Sequence, residues 1–295
     1  MTATGFAADS RYTIGITTNT RGGWESDVLL SFREAREIGY RNVETFISYF
    51  REEYLRDDPQ AVEKKIKDIG VKFVTISNSG PMEVHFEDPA KHEKVIADHV
   101  KLGRFIKHFG CRHLKINMGP RRPEGTTTED LKHMARCAEE TGRQLKANGI
   151  WLAIHAHMWN QFENRKEIDY MMERTTPENV GFVLDTGHIT MAGIDPVKLA
   201  RELGNRIAEF HMKDTAPENR GGAKKRIDRP DMMKDPCFFP LGHGGVDFPG
   251  IKAALDKINW KGFLTVELDS SPFRPPKESA RISIKYLEEK LGLKA

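Results

Sequence analysis

The chain has 295 residues, 38% of them apolar, and carries 46 basic against 43 acidic side chains for a formal charge of +3. That near-balance argues against nucleic acid or an anionic membrane as partner, and Cys111, Cys137 and Cys237 share no spacing that suggests a zinc knuckle or a disulfide framework. MTATGFAADS lacks a basic stretch followed by an apolar run, and nothing approaches the ~18 continuous apolar residues of a membrane span, so a cytoplasmic chain is expected.

Short β-rich runs alternate with longer amphipathic ones. Tyr12–Thr17 reads as a strand, and Trp24–Ile38 as a helix with Leu29, Leu30, Phe32 and Ile38 roughly on one face. Strands are expected at Asn42–Phe46, Lys72–Ser77 and Cys111–Met118, with a helix over Ala90–Phe109. Thr127–Asn148 opens on Thr127-Thr128-Glu129-Asp130, acid in the first turn of a helix. Ile150–His157, Val180–Asp185, Arg206–Lys213 and Gly262–Leu268 complete the strands. Asn164–Arg174, Pro196–Leu203, Phe248–Ile258 and Pro276–Leu291 read as helices, the last with Pro276 as its first residue. Strand–helix alternation without a composition break predicts one α/β domain over residues 1–295, a single (β/α)8 TIM barrel. The other fold considered, a doubly wound open sheet, usually has a glycine-rich first turn, and ITTNTRGGW contains no G-x-G-x-x-G. Residues 214–245 break the rhythm and are expected to be a long loop, suited to a lid.

Side chains alternate across a strand, and the face packed on the outer helices must be apolar. Leu152 and Ile154, Phe182 and Leu184, and Leu264, Val266 and Leu268 take that face. Their neighbours then point to the barrel axis and turn polar toward the C-terminal strand ends: Glu44, Ser77 with Asn78, Lys115 and Asn117, His155 and His157, Asp185 with His188 a turn later, Glu209, His211 and Lys213, and Glu267 and Asp269. Burying so many ionisable groups without partners would cost several kcal/mol each, and a divalent cation would offset much of it. His155, Asp185, His211 and Glu267, on adjacent late strands, are the expected donors. Two imidazoles with two carboxylates suit Mn²⁺, the first choice here, or Zn²⁺, Co²⁺ or Fe²⁺, better than Ca²⁺ or Mg²⁺.

The segments GYRNVETF, NGIWLAIHAH, VGFVLDTGHITMAG, IAEFHMKDT, PLGHGGVDFPGI and GFLTVELD together resemble the xylose-isomerase-like barrels of the sugar phosphate isomerase/epimerase group over nearly the whole chain. The resemblance implies one metal ion held from strands five to eight, which carries over onto Asp185, His211 and Glu267. The family's strand-five glutamate is replaced by His155; His157 matches the histidine two residues later, and His188 the substrate-contacting histidine of DTGH.

The implied activity is a metal-dependent isomerase or epimerase acting on a keto sugar. It would abstract the proton next to the carbonyl and stabilise a metal-bound enediolate. Glu267 would be the base, with His155 or His157 returning the proton. Lys115, His188 and Lys213 would hold substrate oxygens, Asn117 is a further substrate contact, and Trp159 could stack on an apolar sugar face. Glu44 reads either as a substrate ligand or as a salt-bridge partner of Lys115. The alternative is a lyase on the same scaffold, performing β-elimination on a keto sugar or a 3-keto glycoside. His155 in place of a second carboxylate base favours such one-base chemistry. An apurinic-site endonuclease is a minor reading, because ISNSG and RPDMMKDPCFFPLG lack the histidines its zinc cluster needs; a non-catalytic subunit is another. Arg121 and Arg122 read as surface charges, with contact to a substrate phosphate or carboxylate as the other reading, and the basic run Arg220–Arg229 as a solvated loop, lid or oligomer contact. The expected partner is a small sugar, with assembly into a homo- or hetero-oligomer also foreseen.

Overall fold

The computed structural model describes residues 11–219 and 232–295. Eight strands form the barrel: β1 Tyr12–Thr17, β2 Asn42–Phe46, β3 Lys72–Ser77, β4 His113–Ile116, β5 Trp151–His155, β6 Val180–Asp185, β7 Ile207–Met212 and β8 Gly262–Val266. They run β3-β2-β1-β8-β7-β6-β5-β4, every hydrogen-bonded neighbour parallel. The last pair, β3 and β4, closes the ring with side chains in place of a ladder. Thr75 Oγ1 donates to the His113 carbonyl at 2.9 Å. Higher up, Asn78 Nδ2 donates to the Asn117 carbonyl at 2.9 Å and Asn78 Oδ1 accepts from the Asn117 N–H at 2.8 Å.

Eight outer helices follow the strands: α1 Val28–Glu37, α2 Pro59–Ile66, α3 His92–Lys107, α4 Thr128–Ala147, α5 Arg165–Arg174, α6 Pro196–Leu203, α7 Phe248–Lys257 and α8 Pro276–Leu291. Their starts are written locally. Thr127 with Asp130, and Asn164 with Glu167, form capping boxes, while Asp27, Asp58, Asp195 and Asp247 cap α1, α2, α6 and α7. Sequence periodicity identifies seven of these helices. It misses α2, where only Val62 and Ile66 are buried, a single i,i+4 pair too short to establish a period. A short helix, Thr186–Met191, also follows β6 directly.

Four strands end earlier than expected, so Asn117, His157, Lys213 and Glu267 stand just beyond the last ladder residues of β4, β5, β7 and β8. The chain leaves the sheet there, at the end where barrels of this type carry their sites. Two register shifts, at Val43/Glu44 and Phe182/Val183, fall just before Glu44 and Asp185 can point inward.

The described part of the expected loop 214–245 contains a short strand pair. Asp214–Thr215 pairs antiparallel with Phe238–Phe239. The buried Asp214 carboxylate accepts from the backbone N–H of Thr215 and Val246 at 3.0 Å and of Gly242 and Gly244 at 2.9 Å. Gly244 is required there, since a Cβ would lie 1.8 Å from the Thr215 carbonyl oxygen. The cluster Arg220–Arg229 lies outside the described residues. No described helix is long and apolar enough to cross a membrane. Replacing Asp214 by Asn turns an amide group toward backbone donors, and the expected loss is about 2–4 kcal/mol, read from the shift in urea midpoint at constant slope.

Candidate active site

The ends of β5, β6 and β7 each fix one side chain by one hydrogen bond and leave one atom over. At the end of β5, His155 Nδ1–H donates to Asn117 Oδ1 at 2.9 Å, which turns Nε2 inward. Asp185 ends β6 and caps the short helix after it: Oδ1 accepts from the His188 N–H at 2.8 Å, leaving Oδ2. On β7, His211 Nε2 faces Glu44 Oε2 at 3.0 Å, leaving Nδ1. Glu267 follows β8. The leftover atoms, His155 Nε2, Asp185 Oδ2, His211 Nδ1 and Glu267 Oε2, are buried and make no hydrogen bond. His211 Nδ1 and Glu267 Oε2 approach to 2.5 Å but are misaligned for one. One donor atom from each of these residues lies within 4.8 Å of the others, close to the ~4.2 Å spanned by two metal–ligand bonds. Buried polar atoms that make no hydrogen bond are costly; Lys213 offsets part of that cost, and two imidazoles with two carboxylates are a donor set that fits a divalent cation taking nitrogen and oxygen ligands.

Charge around the cluster supports the same conclusion. Glu44 Oε1 accepts from Ser77 at 3.1 Å and pairs with Lys115 at 3.2 Å. Burial pushes its carboxyl up, but Lys115 and then His211 outweigh this and hold it at about 2. Glu44 is thus the salt-bridge partner of Lys115 and the group that orients His211, as Asn117 orients His155; such partners set which imidazole nitrogen faces a metal. Asp185 and Glu267 also remain ionised: burial opposes it, while Lys213 beside the first, and His211 then Lys213 beside the second, prevail. His155 is held neutral by burial and by Lys115. His211 is raised despite burial, because Glu267 and Glu44 flank it.

Lys213 links this cluster to the groups above it. Its ammonium lies 3.2 Å from both Asp185 Oδ2 and Glu267 Oε2, 2.7 Å from Asp269 Oδ1 and 2.9 Å from His188 Nε2. Gly187 makes this path available, since a Cβ there would meet the Lys213 side chain at 2.7 Å. The rings of His157 and His188 are 3.6 Å apart. His157 Nδ1–H donates to the Met158 carbonyl at 2.6 Å, so Nε2 carries the lone pair, and burial followed by Lys213 keeps the ring neutral. Trp159, at φ 69°, closes one side against His157, His188 and Phe238. Met158, Met191, Cys237, Phe238 and Leu268 form an apolar roof, with the Phe238 ring 4.7 Å from the Lys213 ammonium. Cys237 is buried, and burial pushes its thiol up to about 12.

Arg121 is committed to Glu163 at 3.2 Å and Glu167 at 2.9 Å, and Arg122 to Glu124 at 3.3 Å and to Asp130. Both tie the loop after β4 to acidic groups nearby, which favours the reading of paired structural charges over substrate contact. Sequence reasoning missed His113, which pairs with Glu209 at 2.7 Å deeper in the barrel, and His99, a helical residue whose inward aim no strand alternation reveals.

These features define a (β/α)8 barrel with a buried histidine–carboxylate cluster, suited to one divalent cation, at the C-terminal strand ends. The chain belongs to the xylose isomerase-like TIM barrel family, whose profile matches residues 32–290. It is 32% identical over 169 residues to the inosose dehydratase of Clostridium tetani (strain Massachusetts / E88), 57% of each chain, so it spans little more than half the length of that curated relative. The D-psicose 3-epimerase of Clostridium cellulolyticum H10, solved with D-tagatose, superposes with a TM-score of 0.72 at 16% identity, over 96% of this chain and all of that one. The IolI protein, solved with a bound zinc atom, superposes with a TM-score of 0.69 at 17% identity over 94% and 97% of the two chains. Both structures share the fold.

Metal loading should release protons in a defined number. His155 is already neutral near pH 7, whereas His211, raised above its ordinary value, is protonated without metal and must lose that proton. Binding should therefore tighten as pH rises toward the His211 titration, releasing about one proton per ion. Calorimetry in buffers of different ionisation enthalpy measures this; zero release would contradict the assignment.

Proposed function

We propose that this chain is a metal-dependent lyase that eliminates water, or another β-leaving group, from a ketone-bearing cyclic polyol or keto sugar. The observation that carries this reading is the one-sided placement of the proton-transfer groups. Glu267, His157, His188, Lys213 and Asp269 stand together beside β5–β8, and the β5 end carries an imidazole locked by Asn117. An epimerase working on opposite faces of its substrate would need a second base across from Glu267. Elimination needs one face. The inosose dehydratase relatives support the same choice.

His155, Asp185, His211 and Glu267 would hold the cation. When bound, it would polarise the ketone and so acidify the adjacent C–H; Mn²⁺, Fe²⁺, Co²⁺ and Zn²⁺ all fit the donors, and the IolI structure holds zinc. With Nε2 turned into the donor cluster, His155 is assigned to holding rather than to proton relay. Glu267, ionised, or His157 through its bare Nε2, takes the α-proton. The C–H electron pair forms the new C=C bond as the β C–O bond breaks, and His157 or the Lys213 ammonium protonates the departing oxygen. Lys213 and His188 orient substrate oxygens, and Trp159 and Phe238 cover the ring and exclude water. Entry requires the roof at Cys237–Phe238 to move aside, since Phe238 lies against both Lys213 and His188.

Incubating the metal-loaded protein with a keto-inositol and with ketohexoses in D₂O tests this. The expected result is loss of one water with an unsaturated ketone absorbing in the ultraviolet, abolished by a chelator. His157→Ala should lower kcat by about 10²–10³-fold. Deuterium in recovered intact ketose, without elimination, would favour the epimerase instead.

A further inference from the structure

The seam between β3 and β4 lacks a backbone ladder, and the group that closes its upper end leads directly to His155. His99, on α3, is fully buried. Its Nδ1 lies 2.7 Å from the Val95 carbonyl, which can only accept, so Nδ1 carries the hydrogen and Nε2 is a bare acceptor. Asn78 Nδ2 lies 3.0 Å from that Nε2 and donates to it. The second Nδ2 hydrogen goes to the Asn117 carbonyl at 2.9 Å, and Asn78 Oδ1 accepts from the Asn117 N–H at 2.8 Å. Every donor and acceptor of this carboxamide is thereby assigned, including which end is nitrogen. Asn117, clamped on both its backbone groups, presents Oδ1 to His155 Nδ1–H at 2.9 Å.

We infer that Asn78, oriented by His99, is a positioning residue for the donor cluster: by clamping Asn117 across the open seam it fixes both the ring angle and the tautomer of His155. This rests on the reading of His155 as a metal donor. The chain of contacts is directional. A carbonyl on one side dictates the His99 tautomer, His99 dictates the Asn78 amide, and that amide holds the backbone from which Asn117 reaches His155. Burial keeps His99 neutral, its value lowered to about 4, so the acceptor at Nε2 persists through neutral pH.

Asn78→Asp preserves size and the Oδ1 acceptor but sets an oxygen against His99 Nε2 and the Asn117 carbonyl. Competition with a chromophoric chelator should show affinity for Co²⁺ weakened by about 10–100-fold, with altered visible bands from the bound ion. His99→Leu, which removes the acceptor and keeps the bulk, should act in the same direction. In metal-free protein, nitrogen NMR should find wild-type His155 protonated at Nδ1 and the variants in mixed tautomers. Thr75→Val is the control: it removes a seam bond of 2.9 Å to the His113 carbonyl, outside the relay, and should lower Tm while leaving Co²⁺ affinity within about twofold. Wild-type affinity in Asn78→Asp, or equal weakening by Thr75→Val, would overturn the inference. If wild-type protein takes up no cation, the metal reading fails separately, and the His155 tautomer still decides whether the clamp operates.

Discussion

Four buried donor atoms facing one another is the constraint on which the rest of this structure depends. Carboxylate oxygens and imidazole nitrogens without hydrogen bonds are expensive inside a protein, and a fold keeps them only if their neighbours hold them in place. Here the neighbours do so by using up the other end of each group. Asn117 takes His155 Nδ1, Glu44 faces His211 Nε2, and the His188 N–H takes Asp185 Oδ1. The remaining atoms of these three, with Glu267 Oε2, make no hydrogen bond and face one another. Lys213 supplies part of the missing positive charge, 3.2 Å from two of the oxygens.

Closure of the barrel and orientation of the site are the same problem on the β2–β4 side. Where β3 and β4 share no ladder, the bonds that bring them together also set the imidazoles: Asn78 through Asn117, and Ser77 with Lys115 through Glu44. On the β5–β8 side every neighbouring pair of strands is joined by a backbone ladder, and the groups proposed for proton transfer stand there. Above the donors, Met158 and Phe238 are buried and Trp159 is partly exposed.

His155 stands where the family resemblance implies a strand-five glutamate. It turns one nitrogen to the cluster and commits the other to Asn117, which leaves His157 as the imidazole beyond β5 with a bare nitrogen. The proposed elimination draws its proton-transfer groups from Glu267, His157 and Lys213.

Much of this was legible in the chain itself. Period-2 alternation marks all eight barrel strands, and the demand that one face be apolar sends Glu44, His155, Asp185, His211 and Glu267 to the axis. Those are local properties, set by backbone geometry and by the cost of burying charge. Ladder ends, the helix Pro59–Ile66 and the pairing of Asp214–Thr215 with Phe238–Phe239 depended on neighbours distant in sequence, and the pattern missed them. The commitments of Arg121 and Arg122 to acidic partners, the roof formed by Phe238, and the path from His99 to His155 belong to the tertiary structure alone. The sequence by itself determined which residues face inward, because alternation and hydrophobicity act residue by residue. Only the folded barrel decided which atom of each remains unpartnered, because hydrogen bonds are allotted among groups that meet across strands.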